Sequence, residues 1–181
     1  MDIERAREGD EVAFAALWRA LHPALVRYLR VRGDDAPEDL AAETWMQVVR
    51  GLPTFRGGAA EFRSWLFTIA RHRAIDQARA RTRRPTVLAV ADISQIDTLA
   101  VVPSAEHDAI QNDDTQRALR LVATLPPQQA EMVMLRVVAG LDVADVARLL
   151  DKKPGTVRVT VHRALQMLAR SSQAHEAREV V

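Results

Sequence analysis

Between Glu11 and Arg32 the apolar residues Phe14, Leu17, Leu21, Leu25, Tyr28 and Leu29 recur at steps of three and four, which predicts an amphipathic helix that stops near Gly33. Asp34 and Asp35 lead into Pro37, a residue suited to a first turn, and Leu40, Ala41, Thr44, Trp45 and Val48 carry a second helix to Gly51. The glycines and proline of 51–58 punctuate a loop. A third helix is expected from about Ala60 to Arg81, with Phe62, Trp65, Leu66 and Ile69 on its apolar face. Its C-terminal half carries Arg71, His72, Arg73, Arg79, Arg81, Arg83 and Arg84 and is too polar to be buried.

From Pro85 to about Asn112 the periodicity breaks down. Val87, Leu88 and Val90 could make a short strand, but the acids, Pro103 and scattered small residues read better as a linker, mobile or partly helical. Helical spacing resumes over 115–124 with Ala118, Leu119 and Val122. Leu125-Pro126-Pro127 opens a further helix that ends at Gly140. Asp142 is placed to N-cap a short helix with Val143, Val146, Ala147 and Leu150, and Asp151-Lys152-Lys153 reads as a tight turn. A last helix starts at Pro154 or Gly155, with Val157, Val161, Leu165 and Leu168 facing inward, and the residues beyond Ser171 read as a frayed tail. The expected fold is all-α: two small helical domains at 1–84 and 113–171, a flexible acidic linker at 85–112 and a tail at 172–181.

Composition supports helices, since thirty alanines stand against fifteen glycines plus prolines and aromatics make up only 4% of the 181 residues. Cysteine is absent, which excludes disulfides, thiolate metal sites and cysteine nucleophiles and fits a reducing compartment. No apolar run approaches the roughly 18 residues that cross a bilayer, and the N-terminus lacks the basic and apolar regions of a signal peptide, so a soluble cytoplasmic protein is expected. The net charge of +1 conceals strong segregation. Residues 71–84 carry +5, 85–116 carry −6 and 117–170 carry +5. Two basic blocks separated by an acidic one suggest two surfaces for a polyanion, joined by a segment that avoids it.

Residues 141–169 have the grammar of a helix-turn-helix. Thr156, Arg158, Thr160, His162 and Arg163 are left available toward a groove, where arginine can bind guanine bidentately and threonine can bond a base edge or phosphate. Both lysines of the chain, Lys152 and Lys153, fall at the turn, suited to backbone phosphate. The same pattern also describes an ordinary helical hairpin with a solvated basic face. In the first block, arginines lie beside Trp65, Phe67 and His72, a combination suited to DNA at a junction of duplex and single strand, although Trp65 and Phe62 taken singly are more often core residues. The five histidines are scattered without metal-ligand spacing, and no P-loop, GxSxG or GxGxxG occurs, so the sequence supports no metal site, cofactor or catalysis.

Phe14-Ala-Ala-Leu-Trp18, Pro37-Glu-Asp-Leu-Ala-Ala-Glu-Thr-Trp45 and Phe62-Arg-Ser-Trp-Leu-Phe-Thr-Ile-Ala-Arg-His-Arg-Ala-Ile-Asp76 resemble region 2 of the extracytoplasmic-function sigma factors, and Leu125-Pro-Pro-Gln-Gln with Gly155-Thr-Val-Arg-Val-Thr-Val-His-Arg-Ala164 resembles their region 4. The resemblance implies a promoter-specificity subunit of bacterial RNA polymerase. By that likeness Glu38, Asp39, Leu40, Glu43, Thr44, Trp45 and Val48 would dock on the β′ clamp helices of the polymerase core, with the β flap as a further partner. Loop 51–62, with Phe55 and Arg56, would receive a flipped base of the −10 element. Trp65, Arg71, His72, Asp76, Arg79 and Arg83 would help to melt and hold that DNA, and the recognition helix would read the −35 element. The acidic linker would mimic nucleic-acid charge in the RNA exit path, and an anti-sigma factor would act as regulator. Three departures from the family pattern stand out: Asp151-Lys152 in place of Gly and an apolar residue at the turn, Val159-Thr160-Val161 in place of Ser-Arg-Leu, and Trp45 in place of Phe. Two other readings remain: a free-standing helix-turn-helix regulator with 1–84 as a dimerisation or sensing domain, and a hydrolase acting on nucleic acid, for which converging carboxylates or histidines are missing.

Overall fold

The structure, a computed structural model, describes residues 2–83 and 105–179. The first helical domain comprises α1 (Ile3–Arg7), α2 (Glu11–Val31), α3 (Pro37–Gly51), a 3₁₀ turn (Leu52–Thr54) and α4 (Ala59–Arg83). Asp10 caps α2 by accepting the backbone N–H groups of Val12 and Ala13 at 2.9 and 3.0 Å, and its carboxylate also pairs with Arg5 of α1. These donors, the Ala13 N–H foremost and then Arg5, hold the Asp10 carboxyl below the usual carboxylate range. At the other end of α2, Gly33 takes φ +79 while the Asp34 N–H bonds to the Leu29 carbonyl, a left-handed helix stop that glycine adopts without strain. Leu17, Leu25, Tyr28, Leu29, Val48, Phe62, Leu66, Phe67, Ala70 and Ala74 are fully buried where α2, α3 and α4 pack on one another.

The second domain comprises α5 (Ala105–Ala123), α6 (Pro127–Val133), a π turn (Met134–Val138), α7 (Val143–Leu149) and α8 (Pro154–Glu179). All eight aromatic residues of the chain lie between 14 and 67, so this core is aliphatic and thioether: Leu119, Val122, Met132, Val133, Met134, Leu135, Leu141, Val146 and Val157. Asp142 caps α7 by accepting the Asp145 N–H at 2.7 Å.

Several boundaries differ from the sequence reading. The five-residue α1 is too short to show a period, and its buried faces, Ile3 and Ala6, are only two residues. The loop expected at 51–58 contains the 3₁₀ turn. The last helix continues through 172–179 instead of fraying, and α5 begins at Ala105, inside the expected linker. The strand considered at Val87–Val90 and most of the linker lie outside the described residues, among which no β-strand occurs. Leu165 is exposed at 41%, and Ala164 is buried in its place. Positions 157, 161, 164 and 168 follow steps of four, three and four, which keep to one stripe of a helix, whereas 165 lies further round.

Candidate nucleic-acid interface

The helix-turn-helix is built around Asp151. Its φ of +52 is the one positive value at a non-glycine position among the described residues. The Lys152 N–H bonds to the Ala147 carbonyl at 2.8 Å and the Asp151 N–H to the Arg148 carbonyl at 3.4 Å. That pair of bonds closes a helix stop of the kind that normally uses glycine. Asp151 thus fills the glycine position of the turn, and the chain leaves it directly into Pro154 at the start of α8. With Val157 and Ala164 fully buried against α6 and α7, residues Thr156, Arg158, His162 and Arg163 project outward, and Thr160 lies at the margin. Lys152 and Lys153 are exposed beside them. The result is an exposed helix face carrying Arg158, His162 and Arg163, with Val159 and Thr156 among them, on an element of the size that enters a major groove.

On the first domain, Arg71, His72, Arg73, Asp76 and Arg79 of α4, with Gln47 and Ile75, line an open groove of about 650 Å³. Within it Asp76 lies 3.8 Å from Arg79, and Arg73 donates to the Gln47 side-chain oxygen at 2.9 Å and lies 3.7 Å from the Glu43 carboxylate. Arg71 is held from the opposite side, its Nε 3.2 Å from Glu131 of α6. Arg83 ends α4. Trp65 lies away from this groove. It stacks on Phe55 with ring centroids 4.9 Å apart, both rings meet Phe62 edge-on, and the indole covers Gly51 so closely that a β-carbon there would lie 2.8 Å from it. Phe67, expected beside the arginines, is fully buried and stacks edge-on against Tyr28.

The aromatic cluster supports a second depression of about 730 Å³ between α1 and the 55–59 loop, lined by Asp2, Ile3, Glu4, Arg7, Phe55, Arg56, Gly57, Gly58 and Ala59. Arg56 is tied to the loop by donating to the Phe55 carbonyl at 2.9 Å, and the Glu61 carboxylate accepts the Gly58 N–H at 2.9 Å. Sequence reading found the loop and missed α1 as its other wall. The pairing is non-local, and only Asp2, which accepts the Arg5 N–H at 3.1 Å, carried a helix-start signal.

The residues grouped on α3 divide. Leu40, Thr44, Trp45 and Val48 are buried at 5% exposure or less and belong to the core, with the Thr44 hydroxyl donating to the Leu40 carbonyl at 2.7 Å. They orient the helix from beneath, and Trp45 also lines the apolar depression on its outer side. Glu38, Asp39 and Glu43 are exposed, and Met46 and Val49 are exposed at 54% and 53%. Met46 and Val49 border an apolar depression of about 540 Å³ with Phe14, Trp18 and His22. Trp18 and His22 stack at 4.3 Å, and burial pushes the imidazole below its ordinary value against the opposing pull of Glu38. Among the described residues no His, Asp or Glu cluster could hold a metal ion, and no helix is long and apolar enough to cross a membrane.

Two helical units, the second bearing a helix-turn-helix and each offering a basic face, define a DNA-binding protein of the sigma type. The family model described as Sigma-70 region 2 matches residues 13–84, and Sigma-70, region 4 matches residues 115–168. The chain is 35% identical over 173 residues to the ECF RNA polymerase sigma factor ShbA of Streptomyces griseus, covering 92% of this chain and 91% of that protein. It is 32% identical over 176 residues to the ECF RNA polymerase sigma factor SigD of Mycobacterium tuberculosis, covering 92% and 80%. Its fold is similar to that of the sigma factor RpoE from Bartonella quintana, solved in complex with the anti-sigma factor NepR, with a TM-score of 0.60, 24% identity and coverage of 87% and 95%. The chain belongs to the extracytoplasmic-function sigma factors of the sigma-70 family.

Proposed function

We propose that this sigma factor reads two promoter elements with the two basic surfaces and carries out no chemistry of its own. The observation that carries this reading is the outward face of α8, where Thr156, Arg158, His162 and Arg163 project from a helix fixed by buried Val157 and Ala164. This face would read the −35 element, with Lys152, Lys153 and Thr160 at its margins contacting phosphate. The α4 groove with Arg71, His72, Asp76 and Arg79, continued by Arg83, would hold the melted −10 strand. A base flipped from that strand would enter the depression between α1 and the 55–59 loop, over the Phe55–Trp65 stack. Phe55 then lines that pocket, and Trp65 backs it by stacking.

Docking on the polymerase core would use the exposed side of α3: Glu38, Asp39 and Glu43 for basic partners, with Met46 and Val49 at the apolar depression. Leu40, Thr44, Trp45 and Val48 would keep that side in register from beneath. An anti-sigma factor, the kind of partner with which RpoE was solved, would hold the chain inactive in the cytoplasm. The acidic linker is proposed to follow the RNA exit path.

The test is promoter-directed initiation by core enzyme supplied with the purified chain. Arg158→Ala and Arg163→Ala should each weaken promoter binding by about 1–3 kcal/mol per lost base contact and leave core binding intact. Equal loss of both activities would make the helix structural, and the absence of both core binding and initiation would reject the reading.

A further inference from the structure

The two domains meet along a seam where α2 packs on α5, α6 and the π turn, and one carboxylate gathers its charged hydrogen bonds. Glu131, in the second turn of α6, accepts on a single oxygen from Tyr28 Oη at 2.9 Å, Arg32 Nη1 at 2.6 Å and Arg71 Nε at 3.2 Å. Two of these donors come from α2 and its C-terminus and the third from α4. Side-chain exposure is 13% for Glu131, 19% for Arg32 and 24% for Arg71, while Tyr28 is fully buried. Burial pushes the Tyr28 phenol well up, so it stays protonated and donates. Val31, Gly33, Leu125 and Met134 line the same seam, and Arg63 reaches the Gly140 carbonyl at its edge, 3.4 Å away. Shielded, charge-assisted bonds of this kind are stronger than exposed surface pairs.

Arg71 also lines the groove assigned above to the melted strand. While Glu131 holds its Nε, that donor is not available to a phosphate. Geometry adds a second conflict. Elements centred near −10 and −35 lie roughly 25 base pairs apart, on the order of 85 Å at about 3.4 Å per base pair. A domain the size of residues 105–171 has a radius of gyration of only about 11 Å. A chain with Glu131 on Arg71 therefore cannot place α8 on one element and α4 on the other.

We propose that Glu131 is an internal latch that helps to close the free sigma factor by occupying Arg71 as a stand-in for DNA phosphate, with Arg32 and Tyr28 anchoring the carboxylate, and that promoter DNA and the latch compete for Arg71. This rests on the promoter-binding reading above. Three donors from α2, its C-terminus and α4 converge on this carboxylate, and removing its charge while keeping the shape of the side chain isolates its part in the closure.

The experiment uses the full chain with Glu131→Gln. Because the sequence has no cysteine, donor and acceptor dyes can be attached at cysteines introduced in place of the exposed Ala20 on α2 and Gln166 on α8. The parent should show a short inter-dye distance, and the variant a longer and broader one. Affinity of the free chain for a labelled single-stranded oligonucleotide should rise about 5- to 150-fold, the usual range of coupling between linked sites. Should Glu131→Gln lose helix content by circular dichroism, Tyr28→Phe, which removes one donor and keeps the ring, should give a smaller change in the same direction. An unchanged distance in the folded variants, or an opened chain that binds no more tightly, overturns the proposal. Initiation assays separate the two readings. An opened variant without promoter-directed initiation by either protein keeps the latch and rejects the sigma reading of the site, whereas normal initiation with unchanged distance rejects the latch alone.

Discussion

Asp151 holds a left-handed backbone conformation in which a β-carbon crowds the next carbonyl oxygen, at a cost of about 1–2 kcal/mol that Asp tolerates better than most residues. Asp151→Gly should therefore stabilise the second domain by roughly 0.5–1 kcal/mol, and Asp151→Val should destabilise it by more than that, as read from urea midpoints by circular dichroism. His22 offers a pH test. Its folded value lies below the ordinary one near 6.5, so the unfolded chain takes up the proton first. The first domain is then at full stability above about pH 6.5 and loses stability as pH falls from there through the folded value. Melting temperatures at pH 7.5 and 5.0 should differ less for His22→Gln than for the parent over this window. The Asp151 conformation could be anticipated, because the resemblance sets Asp151 where the family's turn has glycine, and Asp tolerates the left-handed region better than most residues. The depression of His22 could not, since it depends on stacking with Trp18 and on burial near α3.

At the scale of elements, α3 and α4 approach closely at Gly51, where a β-carbon would lie 2.8 Å from the Trp65 ring. A methyl group at Gly51 would have to displace the Trp65 indole, so Gly51→Ala should cost about 1–3 kcal/mol and disturb the Phe55 stack, visible as a shift in tryptophan emission. On α8, Leu165→Gln should change stability by less than about 0.5 kcal/mol, whereas Ala164→Leu should cost about 1–3 kcal/mol, because only 164 lies on the buried stripe. The contrast shows what periodicity conveys. Helices α2 and α7 were legible because their apolar stripes and aspartate caps agree, and α3 and α4 from their stripes. The π turn at Met134–Val138 was not, because an extra residue in one turn leaves the count of apolar positions unchanged. The start of α5 was hidden for a different reason: residues 105–112 are acidic and small, without a stripe, and composition there reads as linker.

For the whole molecule, the segregation of charge into two basic blocks announced two anion-binding surfaces, and the fold sets them on separate helical units. What charge counting missed is that one of the four acids in the second basic block, Glu131, would be the one to reach back across the seam. Its three partners lie 103, 99 and 60 positions away in the chain, beyond any local pattern. The depression walled by α1 was hidden by the same kind of distance, with Asp2 and Phe55 meeting only after α1 packs on α2 and the 3₁₀ turn.

The confinement of every aromatic residue to positions 14–67 makes the second domain optically silent. Tryptophan emission reports the first domain alone, while far-ultraviolet dichroism weights both, so the two signals together measure how far one domain's unfolding is felt by the other. Coincident denaturation curves are expected for the parent chain, and curves that separate are expected for Glu131→Gln. No extrinsic label is needed to observe it.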